Sequence, residues 1–102
     1  MSAFFDLDGN EITQAQWVRL VRQKKAFVQN TPGVDFDVRT RWTGTNMSGS
    51  DDNDRPLIYE VGVYKSKTYT EIDKVLCATR EDAAREHDRL LNEVSLGKYD
   101  ET

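Results

Sequence analysis

The sequence predicts an α+β fold, a small antiparallel sheet of about four to five strands with two helices packed on one face. Three observations carry that prediction. Apolar and polar residues alternate in two separate stretches, 34–43 and 57–64, with the period of a strand that buries one side. Two other stretches, 13–23 and 79–95, repeat their apolar residues at helical spacing behind hydroxyl caps. The chain has 102 residues, 37% hydrophobic and 31% charged, which supports one small core and is too little for two. The expected order is β-α-β-β-β-β-α in a single domain, 1–102.

Phe4-Phe5-Asp6-Leu7 is a short apolar stretch closed by Asp8-Gly9, a dipeptide that accepts the positive φ of a tight turn. Thr13 and Gln16 have the spacing of a capping box, which opens a helix. Trp17, Leu20 and Val21 share its apolar face with Val18 at the edge. Lys24 and Lys25 would swing onto that face, so the helix ends near Gln23 or Lys24. Residues 26–31 lead through the turn signal Pro32-Gly33 into a half-buried strand and make a hairpin. In that strand Val34, Phe36, Val38, Thr40 and Trp42 alternate with Asp35, Asp37, Arg39, Arg41 and Thr43.

Residues 44–56 lack periodicity and hold few apolar groups, so they read as a long loop and the most mobile internal segment. Leu57, Tyr59, Val61 and Val63 then alternate with Ile58, Glu60, Gly62 and Tyr64, and the mostly polar 65–73 reads as a second loop before a short strand at 74–78. Thr79 caps a last helix expected over 80–95, with Glu81 and Asp82 in its first turn. Ala83, Ala84, His87, Leu90, Leu91 and Val94 form its apolar stripe, and Arg89 and Glu93 lie four apart on the opposite side. Gly97 ends it.

The formal net charge is −4 and Cys77 is the one cysteine, which excludes an internal disulfide and favours a reducing compartment. The first residues lack the basic segment and apolar run of an export signal, and nowhere do about 18 apolar residues run together, so the expected location is the cytoplasm, away from any membrane. Asp6, Asp8 and Asn10 have the spacing that opens a calcium loop. Glu11 stands where that loop needs glycine and Trp17 where it needs a bidentate glutamate, so the stretch reads as an Asx-type turn. Asp51, Asp52 and Asp54 read as a solvated acidic loop, His87 as a neutral packing residue and Cys77 as a buried thiol. No catalytic constellation, metal site or cofactor motif emerges, which favours a binding role over an enzyme.

Two surfaces remain as candidates for a partner. Arg39, Arg41 and Glu60 fall on the strand sets opposite the apolar ones, so they mark the sheet face that two helices leave open, extended by Arg19 or by the acidic Asp51 and Asp52. This is the expected site for a protein partner. The alternative is nucleic acid, held by the basic segment 19–25 (Arg19, Arg22, Lys24, Lys25) together with Arg39 and Arg41.

Four stretches in order also carry a family resemblance: Phe5-Asp6-Leu7-Asp8-Gly9-Asn10-Glu11-Ile12-Thr13 followed by Trp17; Val38-Arg39-Thr40-Arg41-Trp42-Thr43-Gly44; Pro56-Leu57-Ile58-Tyr59-Glu60; and Thr79-Arg80-Glu81-Asp82-Ala83 leading to His87. In these the whole chain resembles a family of short hypothetical proteins of unassigned function, encoded by tailed phages and by bacteria carrying phage-derived genes. The resemblance implies a phage accessory protein that meets a host or phage protein, and it supplies no catalytic or ligand residues. Asn46-Met47 stands where the family often has Asp-His, and the acidic run 50–54 is an insertion.

Overall fold

The structure, a computed structural model, describes residues 4–23, 27–46 and 56–100. Its elements are β1 (Phe4–Phe5), β2 (Glu11–Ile12), α1 (Gln14–Arg22), β3 (Phe27–Thr31), β4 (Phe36–Trp42), β5 (Tyr59–Lys65), β6 (Glu71–Cys77) and α2 (Arg80–Ser95). β3 to β6 form an antiparallel sheet in chain order, and β1 pairs with β2 in a separate ribbon. The class and order are those expected from the sequence, with β2 added before the first helix. Asp6 accounts for the addition. Its carboxylate accepts from the backbone N–H groups of Asp8 (2.9 Å) and Asn10 (2.8 Å), an Asx turn that returns Glu11 opposite Phe5.

The capping box forms as read: Thr13 Oγ1 accepts from the Gln16 N–H, and the Gln16 side chain accepts from the Thr13 N–H. α1 stops at the Gln23 cap. α2 spans the expected residues, with Thr79 Oγ1 accepting from the Asp82 N–H. At its far end the Gly97 N–H bonds the Val94 carbonyl and the Lys98 N–H bonds the Glu93 carbonyl, a Schellman closure. Ala83, His87 and Leu90 are fully buried, but Ala84 is exposed. At about 100° per residue Ala84 shares the margin of the stripe with Leu91, and only the longer side chain reaches the core.

Two strand boundaries differ from the sequence reading. β4 starts at Phe36 and leaves Val34 exposed, because the Asp37 carboxylate accepts from the Gly33 N–H and closes the hairpin loop short of the strand. β6 starts at Glu71, so the polar stretch before residue 74 is not all loop. Its polar residues are tolerated because β6 is an edge strand, paired only with β5.

Phe36, Val38, Thr40 and Trp42 of β4 and Tyr59, Val61 and Val63 of β5 are buried on the side covered by α2. α1 reaches this core through Trp17 and Leu20, beside Phe5 and Leu7 of the ribbon segment. Two indoles fasten the ribbon and helix to the sheet. Trp17 Nε1 donates to the Thr43 carbonyl (3.0 Å) and Trp42 Nε1 to the Asp6 carbonyl (3.2 Å). Gly44, at φ +71°, passes under Trp17, where a Cβ would stand 2.4 Å from Nε1.

Residues 47–55, which hold Asp51, Asp52 and most of the expected mobile loop, lie outside the described residues, as do Lys24 and Lys25. The described base of that loop is tied down by the Leu57 N–H to Asn46 Oδ1 (3.0 Å) and by Thr43 Oγ1 to the Ile58 carbonyl (3.0 Å). Among the described residues no helix is long and apolar enough to cross a membrane.

Candidate functional site

Strand alternation sends the other half of β4 and β5 to the face away from α2. The register sets Arg41 opposite Glu60, Arg39 opposite Gly62 and Asp37 opposite Tyr64, and β6 adds Lys74 beside Gly62 and Glu71 beside Tyr64. Arg39, Arg41, Glu60, Tyr64, Glu71 and Lys74, with Tyr69 from the β5–β6 turn, line an open cleft of about 380 Å³. Three sequence candidates, Arg39, Arg41 and Glu60, therefore meet in one place. Arg19 does not line the cleft. It is exposed on the last turn of α1, at the ribbon end of the molecule.

This face, read from the sequence as the one the helices leave open, is in part buried. The Glu60 and Asp37 side chains are each only 8% exposed. Gly62 makes the cover possible, because the Tyr64 ring folds down on it and a Cβ there would stand 2.7 Å from the ring. Glu60 is neutralised from above, by Arg41 Nη2 at 2.6 Å and Lys74 Nζ at 3.9 Å. Asp37 accepts from Ser66 Oγ (2.6 Å) and the Gly33 N–H (3.0 Å), and these bonds hold its carboxyl below the ordinary range. The Tyr64 hydroxyl moves the other way, raised by burial and by the neighbouring Glu60 and Glu71 carboxylates. Glu60 and Asp37 thus lie beneath, with Arg41, Lys74 and Glu71 at the opening.

Arg39 stands apart from this balance. Its guanidinium carbon lies 4.8 Å from the Tyr69 ring centre and 5.6 Å from that of Tyr64. Among the described residues its buried Nε has no hydrogen-bond partner, and its Nη2 is 3.7 Å from Asp37 Oδ2, beyond hydrogen-bond reach. A buried donor left unmade costs about 1–3 kcal/mol, and each cation–π contact offsets about 0.5–2 kcal/mol of that. Tyr69 adds a cost of its own. It has φ +56°, the one non-glycine at positive φ among the described residues, in a region that costs an L-residue roughly 1–2 kcal/mol. Its hydrogen bond from N–H to the Lys65 carbonyl closes the turn and leaves the ring over Arg39.

Tyr64 stood in the same alternating set as Glu60, so its place on this face was readable. Glu71 was hidden by the loop assigned to 65–73, Lys74 opened the short strand read at 74–78 without being assigned to this face, and nothing in the sequence announces the backbone conformation of Tyr69.

The other candidates are packing residues by their contacts. His87 Nδ1 meets Thr40 Oγ1 at 2.7 Å and Nε2 meets Thr31 Oγ1 at 2.9 Å, so the ring bridges α2 to β4 and β3, and burial lowers its pKa. Burial pushes the Cys77 thiol up to about 11, with the Glu86 and Asp82 carboxylates opposing the thiolate further. The Asp6 carboxylate is engaged by its own turn. Among the described residues no three of His, Cys, Asp and Glu gather as metal ligands do. Compared with family models, with curated proteins and with solved structures, the chain finds no match in any of the three.

Proposed function

We propose that this chain is a phage accessory protein that acts by holding another protein, of host or phage origin, on the open face of its sheet, without chemistry of its own. The observation that supports this most is the cleft: charged and aromatic side chains from three strands and a turn converge on a face that neither helix covers. Cations above the buried Glu60 and Asp37, with Glu71 at the rim, give such a surface orientation and selectivity without demanding a large apolar patch. Two lining features that lower stability, the unmet Arg39 Nε and the positive φ of Tyr69, accompany the placing of a guanidinium and a ring side by side at the cleft, where a partner can meet them.

The test is capture from lysates of bacteria with and without a resident phage, using the wild-type chain, Tyr69→Gly and Lys74→Ala in the cleft, and Arg85→Ala on the outer side of α2. Milder changes than charge reversal are needed, because Arg41→Glu would set a like charge against the buried Glu60. A protein retained by the wild type and by Arg85→Ala but lost from both cleft variants is the expected result. Equal retention by all four chains would place the binding surface elsewhere.

A further inference from the structure

We infer that the cleft receives a carboxylate from an acidic segment of the partner protein, and that Arg39 is the group that grips it. This rests on the protein-binding role proposed for the face and names the chemistry of what binds there. Arg39 carries the inference because it is positioned without being used. Two tyrosine rings fix its guanidinium, its Nε has no hydrogen-bond partner, and its single ion-pair partner among the described residues is at 3.7 Å. Nε itself is buried, so an incoming carboxylate meets the terminal Nη pair, whose two nitrogens match its two oxygens. Lys74 is a second uncommitted donor. Its ammonium is 3.9 Å from Glu60 and 3.7 Å from Glu71, close enough for attraction and too far for a hydrogen bond.

Charge selects among anions. The face holds three cations, Arg39, Arg41 and Lys74, and three carboxylates, Glu60 and Glu71 in the lining and Asp37 beneath Arg39, so it is balanced as a whole. Such a surface suits a single carboxylate held by directed donors and gives no field for a chain of charges. A polyphosphate chain needs a run of cations and would meet Glu71, whose side chain is 47% exposed at the rim. Tyr69, 61% exposed, offers a ring face to the aliphatic part of an incoming glutamate or to its backbone. The positive φ of Tyr69 then has a use, since the turn places that ring beside the gripping arginine.

The test uses three fluorescent probes in anisotropy titrations at low and high salt: a blocked Gly/Glu peptide, the same peptide with Gln for Glu, and single-stranded oligo-dT. The expected result is binding of the Glu peptide, weakened by salt, with little binding of the other two. Arg39→Lys keeps the charge and loses the fork, so it should weaken the Glu peptide by about tenfold or more. Tyr69→Gly should weaken it while the chain stays folded. Where Arg39→Lys fails to fold, the Arg39 Nε–H resonance of the wild type decides, by shifting with the Glu peptide and not with the Gln peptide. Equal binding of Glu and Gln peptides, no binding of either, preference for the oligonucleotide, or an unmoved Nε–H signal overturns the assignment. Capture that depends on the cleft but is not competed by the Glu peptide would overturn the carboxylate alone and leave protein binding standing.

Discussion

The two faces of β4 and β5 are built from the same strands and treat polar groups in opposite ways. Toward α2, the polar groups that go under are matched. His87 has a threonine hydroxyl at each ring nitrogen, the Tyr59 hydroxyl donates to the Leu7 carbonyl, the Trp42 indole donates to the Asp6 carbonyl, and the Tyr99 hydroxyl donates to Asp73. Each threonine hydroxyl can donate or accept, so either neutral tautomer of His87 is satisfied. On the other face Arg39 Nε is buried and unmatched, and Glu60 lies beneath an ion pair with a half-exposed arginine. One face is closed within the chain. The other leaves a donor unmet among the described residues, the feature on which the proposed partner-binding role rests.

That contrast is open to measurement. Leu90→Ala on the matched face should have the largest effect, about 2–5 kcal/mol of unfolding free energy in denaturant titration, because the side chain is fully buried under α2. Absence of hydrogen-exchange protection over residues 84–91 would contradict a core there. Next, Arg41→Ala should cost about 1–2 kcal/mol, less than the 3–5 kcal/mol of a fully buried pair because Arg41 faces water. In a Glu60→Gln background the same change should cost little, and an equal cost in both backgrounds would mean the pair is not coupled.

A pH dependence follows from His87. Its folded pKa lies below 6.5, so as pH falls through 6.5 the unfolded chain binds a proton that the native state refuses, and stability is lost downward from there. Thermal scans between neutral pH and pH 5 should show this loss, and His87→Gln should flatten it. Asp37 acts later, with stability present above its ordinary value of 3.8 and lost as pH drops below that. The smallest expected effect is that of Tyr69→Gly, which relieves positive φ and should leave stability within about 1 kcal/mol of the wild type or raise it. A larger loss would make the ring structural.

The same contrast marks what the sequence made legible. A period of two divides β4 and β5 whatever lies around them, so the burial of Trp42 and Tyr59 and the shared face of Arg39, Arg41 and Glu60 could be read before any coordinates. Capping chemistry is equally local, which is why Thr13 and Thr79 mark their helices correctly. Burial of Glu60 is not local. It requires Arg41 across one strand pair, Lys74 from β6, and a Tyr64 ring that can fold down only because residue 62 has no side chain. The start of β6 escaped because an edge strand carries polar residues on its pattern, and with it went Glu71. The place of Arg19 depended on where α1 docks, which Trp17 and Thr43 decide from distant parts of the chain.

Thermal unfolding of Arg39→Met tests most directly whether the open face is left unfinished for a partner. Methionine fills the stem of the arginine, keeps contact with the tyrosine rings and removes the unmatched Nε donor. A Tm equal to or above that of the wild type, together with loss of the captured protein, is the expected result. A fall of about 4 °C or more, the shift that roughly 1 kcal/mol produces in a domain this size, with capture unchanged, would show that Arg39 serves the fold and would contradict it.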